Sequence, residues 1–124
     1  MTIAFWCVLI AALMPFLFTA IAKIGARGFN NRRVRDFQQD LTGWRQRAHW
    51  AHQNSFEAFP FFAAAVIIAQ QSGGAQTQID ALAIAFILLR LAYGGLYIAD
   101  QATLRSLVWF GALICVVALF FTGL

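Results

Sequence analysis

Residues Arg45–Phe62, RQRAHWAHQNSFEAFPFF, set two arginines, two histidines, Gln53, Asn54 and Glu57 directly against an apolar run suited to lipid. Read as soluble surface, the polar half needs a core that the flanking sequence never separates from it. Read as the entry of a membrane-crossing helix, it needs a reason for ionisable groups at membrane depth. Composition decides between the two. The chain has 124 residues, 61% of them hydrophobic and 11% charged, and its mean hydropathy is +0.70. A soluble domain of this length requires far more polar surface.

The apolar residues are also clustered. Ile3–Ala22 and Leu107–Leu124 carry no charge, Phe59–Ala69 is apolar throughout, and Ala81–Ile98 is broken only by Arg90. A hydrocarbon core about 30 Å thick takes roughly 20 helical residues to cross. Four segments meet that length, at about 3–24, 48–70, 79–99 and 104–124. The expected fold is therefore all-α and integral to the membrane: a four-transmembrane-helix bundle forming one domain over residues 1–124. Ala20-Ile21-Ala22 looks like a signal-peptidase site. A basic stretch ahead of the apolar run is missing, however, and the run itself is too long for a secretion signal, so it is expected to stay as a span.

The formal net charge is +4, which could point to nucleic acid, but its placement points elsewhere. Lys23, Arg27, Arg32, Arg33, Arg35, Arg45 and Arg47 bracket one loop at about 25–46, whereas QQSGGAQTQ, between the second and third spans, has neither Lys nor Arg. The positive-inside pattern puts the basic loop in the cytoplasm and both termini outside. The loop has too few apolar residues for its own core and is expected to lie along lipid headgroups. Nucleic acid is not an expected partner. Cys7 and Cys115 both fall inside spans and read as small apolar fillers. His49 and His52 stand three apart with no further His or Cys to complete a metal site, so no metal is expected.

Depth and helical phase draw the remaining polar groups together. Counting at 1.5 Å per residue from the cytoplasmic side, Asn54 lies about 10 Å in, Glu57 about 15 Å, and Arg90, on a helix running the other way, about 14 Å. An isolated charge at that depth is costly. Glu57 and Arg90 are therefore expected to pair directly or through a ligand, and an internal structural ion pair would satisfy the same constraint. At 100° per residue, Arg47, Trp50, Asn54 and Glu57 share an arc of about 80°, as do Arg90, Tyr93, Tyr97 and Asp100. Arg105 and Ser106 open the fourth span at the same face. Three helices thus aim arginines, an amide, a carboxylate and phenols at one compartment suited to a small anionic, zwitterionic or peptide-like ligand. Tyr93 and Tyr97 would also serve as interface-belt aromatics. His52 falls roughly 140–220° from the Arg47–Glu57 stripe, toward a neighbouring subunit.

AHQNSFEAFPFF (Ala51–Phe62), RLAYGGLY (Arg90–Tyr97) and LRSLVW (Leu104–Trp109) resemble, in order and spacing, the second, third and fourth helices of the MAPEG superfamily, membrane-associated proteins in eicosanoid and glutathione metabolism. The resemblance covers essentially the whole chain. It implies a homotrimer with glutathione as co-substrate, bound between neighbouring subunits near the cytoplasmic side. Carried over position by position, it makes Asn54, Glu57, Arg90, Tyr93 and Tyr97 ligand contacts. His52 reaches the adjoining subunit's ligand, Arg105 stabilises the glutathione thiolate, and Ser106 is its polar neighbour. Arg27 matches a first-helix arginine loosely. Two positions depart from the pattern. Trp50 stands where enzymatic members have a glutathione-holding arginine, leaving Arg47 one turn earlier to reach the same carboxylate, and Trp109 replaces a tyrosine of the prostaglandin synthase branch.

The function so implied is a glutathione-dependent transferase or peroxidase acting on lipophilic electrophiles or lipid hydroperoxides. The alternative is a non-catalytic lipid-binding or scaffold protein associated with another membrane protein complex. A transporter is disfavoured, since four short spans show no inverted repeat. The expected surroundings are membrane lipid, a small lipophilic ligand and a bacterial inner membrane.

Overall fold

The computed structural model describes residues 1–124 and contains five helices and no strands: α1 (Ile3–Lys23), α2 (Val34–Gln39), α3 (Gly43–Gln71), α4 (Gln76–Ile98) and α5 (Ala102–Phe121). Three of them, α1, α4 and α5, are long and apolar enough to cross a membrane. The longest, α3, has 29 residues, and its polar first half keeps its hydropathy below theirs. It starts at Gly43, ahead of the expected span, because the helix continues past the apolar run through Trp44, Arg45 and Arg47. Packing joins α1 to α3 and α4 to α5, with α3 also touching both α4 and α5, and α1 touching α4 but not α5.

Only 27 of the 124 residues are buried. Most large apolar side chains, such as Trp6, Leu13, Phe16, Leu88, Leu107 and Ile114, therefore face outward, as expected where the surroundings are as apolar as the interior. The core is built from small residues that let backbones approach. Ala4, Cys7, Ala11, Ala65, Ala69 and Ala83 belong to one cluster. At its centre Phe62 of α3 stacks on Phe86 of α4, with ring centroids 3.9 Å apart. Gly94 is where α4 meets α1, since a Cβ there would collide with the Phe18 ring.

Two ends of the bundle differ in chemistry. At one, Thr2 caps α1 by accepting from the Phe5 amide, and its hydroxyl donates to Gln70. Asp80 of α4 accepts from the Ala4 amide at 2.9 Å, and Gln76 bridges Gln70 and Asp80. At the other end, arginines close the C-termini of helices. Arg45 donates to the Ala22 and Ile24 carbonyls, and Arg47 donates from Nε to the Ile98 carbonyl at 3.0 Å. These are orphan carbonyls that carry the negative end of the helix dipole. The short helix α2 lies within the basic loop. Its Phe37 packs against the small Ala22–Leu41–Ala48 cluster, and Gln38 donates to Thr19 at 2.9 Å.

Candidate functional site

The site grows from α3. Successive turns of that helix present Trp50, Asn54 and Glu57 toward α4, where Arg90, Tyr93 and Tyr97 answer them. Arg90 is 2% exposed. Its Nη2 donates to Asn54 Oδ1 at 2.7 Å, and its guanidinium lies 4.3 Å from the centre of the Tyr93 ring. Asn54 in turn donates from Nδ2 to Glu57 Oε2 at 3.3 Å. The expected direct pairing of Glu57 with Arg90 is absent. The one ion pair within 4.0 Å joins Arg33 to Asp36 on the surface. Depth predicted pairing directly or through a ligand; within the chain the neutral amide of Asn54 sits between the two charges and bonds to both.

A row of aromatic and cationic groups continues from there. The Tyr93 and Tyr97 rings meet edge to face at 5.6 Å, and the Arg105 guanidinium of α5 lies 4.2 Å from the Tyr97 ring centre. Trp50 of α3 also meets Tyr97, with centroids 6.1 Å apart. Three hollows adjoin this row. One of about 300 Å³ lies between α3 and α4, lined by Trp50, Gln53, Asn54, Glu57, Tyr93 and Tyr97. One of about 190 Å³ continues from Asn54 and Glu57 into apolar surroundings that include Phe61, Phe86, Leu113 and Val116. A third, of about 340 Å³, opens between α4 and α5 at Arg105, Ser106 and Trp109.

Seven of the residues singled out from sequence therefore line three adjoining hollows: Asn54, Glu57, Arg90, Tyr93, Tyr97, Arg105 and Ser106. The other three are placed elsewhere. Arg47 is held on the end of α4. Arg27 lines a separate hollow in the loop with Asn30, Arg33, Asp36 and Asp40. His52 faces α1, its Nδ1 2.7 Å from the Pro15 carbonyl oxygen; because a carbonyl can only accept, that nitrogen carries the proton. His52 stacks on His49 at 5.7 Å, whose own Nδ1 is buried without a partner. Both line a larger hollow of about 690 Å³ among α1, α2 and α3, together with Lys23, Arg35, Phe16 and Phe56.

Sequence reasoning missed the Thr2–Gln70–Gln76–Asp80 network. Two amides, a hydroxyl and a carboxylate just outside apolar runs gave no sign that they would meet. It also missed Phe61 and Leu113, which line the apolar hollow and look like ordinary lipid-facing residues in a linear sequence.

A model of the MAPEG family matches residues 3–124. The chain belongs to the MAPEG family. This makes it a multi-pass integral membrane protein of the superfamily of eicosanoid and glutathione metabolism. Comparison with curated proteins and with solved structures gives no match. The MAPEG match covers the three helices long enough to cross a membrane and the whole Asn54–Arg90–Arg105 region.

Proposed function

We infer that this MAPEG protein is a glutathione-dependent membrane transferase or peroxidase whose co-substrate is a lipophilic electrophile or lipid hydroperoxide. The observation that carries the reading is Arg105. Its guanidinium lies against Tyr97 and has no hydrogen-bond partner in the chain, in a hollow shared with the Ser106 hydroxyl. A thiol becomes a nucleophile only as the thiolate, and a fixed cation in a low-dielectric site favours that form. Arg105 would take the glutathione sulfur, with Ser106 beside it. Glu57 would meet the α-ammonium, and Arg90 acts indirectly by fixing Asn54 and Tyr93. The apolar hollow at Phe61 and Leu113 would admit the lipophilic co-substrate from the bilayer.

The active form is a homotrimer of four-span subunits, with α3 as the fourth crossing helix and the basic loop in the cytoplasm. The α1–α2–α3 hollow at Lys23, Arg35 and His52 would face the neighbouring copy. Calorimetry of the detergent-purified protein should detect glutathione binding; none at millimolar ligand would exclude the reading. In stopped-flow absorbance at the thiolate band, the signal should be lost in Arg105→Ala, and an unchanged signal would remove the role given to that residue.

Trp50 favours a second reading, a non-catalytic lipid-binding or scaffold protein. With an indole where an arginine is expected and Arg47 on the Ile98 carbonyl, the α3–α4 hollow lacks a free cation for a glutathione carboxylate. A saturable lipid ligand together with no glutathione binding would decide for it.

A further inference from the structure

The α3–α4 hollow has a property that anion binding does not use. Its lining contains one carboxylate, Glu57, three aromatic side chains, Trp50, Tyr93 and Tyr97, and the amides of Gln53 and Asn54, with no cation among them. No guanidinium lines this hollow itself. Arg47 bonds the end of α4, Arg90 is buried on Asn54, and Arg105 opens into the α4–α5 hollow. Arg90 and Arg105 each already cover a tyrosine ring. Trp50 has no cation on either face and is 40% exposed. Its ring is tilted 44° from that of Tyr97, so the two form an open wedge. Glu57 Oε2 accepts only from Asn54, and Oε1 has no partner in the protein.

Electron-rich rings with a nearby carboxylate attract ammonium groups, and indole does so best. At Asn54 and Glu57 the hollow adjoins a second, mostly apolar one, lined by Phe61, Phe86, Leu113 and Val116 with Arg90 on one wall. A cation-attracting chamber joined to an apolar one fits a single ligand shape. The geometry points to a binding site for a quaternary alkylammonium amphiphile: the ammonium lies between Trp50 and Glu57, and the alkyl chain lies in the mostly apolar hollow. Trp50 is the specificity-determining residue, because an arginine there would repel the head group by its charge. The site goes beyond the glutathione reading but shares Glu57 and the apolar hollow with it, so the two ligands would compete; Trp50 belongs to the alkylammonium site alone.

The test is a calorimetric titration of octyltrimethylammonium, below its micellar concentration, into the protein in a neutral maltoside detergent, with empty micelles subtracted. Octyl sulfate, carrying the same chain and the opposite charge, is titrated in parallel. The cation should bind saturably and at least about tenfold more tightly than the anion. Trp50→Phe should keep the affinity within about threefold, while Trp50→Leu and Glu57→Gln should each weaken it about five- to tenfold. Equal affinities for the two amphiphiles, or unchanged affinity in either weakening variant, would overturn the proposal. Trp50→Arg separates this site from the glutathione reading, since it should abolish alkylammonium binding, and retained binding would also overturn the proposal. Glutathione titrated into the wild type and Trp50→Arg reports on that reading, since the arginine should strengthen glutathione binding while it abolishes alkylammonium binding.

Discussion

Arg90 is buried inside a span, yet its one hydrogen bond goes to a neutral amide. A buried guanidinium keeps its charge and needs acceptors, so Asn54 carries more of the local stability than Glu57 does. Asn54→Leu should destabilise the protein by about 2–4 kcal/mol in detergent thermal unfolding, and Asn54→Asp should recover most of that loss. Glu57→Gln should cost less than about 1 kcal/mol, because no direct ion pair is broken and the amide can still accept from Asn54. A larger loss in Glu57→Gln than in Asn54→Leu would reverse this order. At Trp50, substitution by arginine should raise glutathione affinity about tenfold by restoring a guanidinium partner for a carboxylate, as read by calorimetry. That Glu57 and Arg90 come level along the bundle was legible from a fixed rise per residue. Their connection through Asn54 was not, because lateral reach and rotamer depend on how two helices face each other.

Helix ends and crossings follow local rules that the chain obeys unevenly. After α3, Gly73 takes φ 75° and the Gly74 amide bonds to the Ala69 carbonyl at 3.2 Å, a glycine-based helix stop. After α4 the same motif is made with Asp100 at φ 62°, the Gln101 amide reaching Leu96 and the Asp100 amide reaching Tyr97. An L side chain in that region is strained, so Asp100→Gly should stabilise the protein by about 0.5–1 kcal/mol, visible as a raised Tm. Gly94→Ala should lower the Tm, costing about 1–3 kcal/mol, because the buried Phe18 ring has to move for α1 to remain against α4. The apolar runs of α1, α4 and α5 announced membrane-crossing helices. The six-residue α2 was not legible, since one turn and a half carries too little periodicity and its stability rests on Phe37 and Gln38 meeting α1 and α3.

At the scale of the molecule, the charge pattern predicts an orientation. Arg90 apart, every Lys and Arg lies at the end of the bundle where Arg45 and Arg47 close helix C-termini, and the Thr2–Asp80 network closes the other. With Cys7 and Cys115 replaced by alanine, single cysteines at Arg32 and Gln78 should label from opposite sides of a sealed membrane with an impermeant maleimide. Labelling from one side would refute the proposed topology. Native mass spectrometry in a mild detergent should show three copies if the α1–α2–α3 hollow faces a neighbour, and a monomer would leave that hollow to lipid.

The sequence by itself determined the helical, membrane-embedded character, the family, and the convergence of Asn54, Glu57, Arg90, Tyr93, Tyr97 and Arg105 toward one end of the bundle. The first and last follow from hydropathy, length and a constant helical repeat, which are properties of each segment alone; the family rests on the three motifs at Ala51–Phe62, Arg90–Tyr97 and Leu104–Trp109. Only the tertiary structure decided that Arg47 seals α4, that His52 turns to Pro15, that Asn54 stands between Glu57 and Arg90, and that Trp50 opens onto a chamber without a cation. Those outcomes depend on the rotation and separation of packed helices. Changes of an ångström there redistribute hydrogen bonds among side chains that the linear chain leaves equivalent.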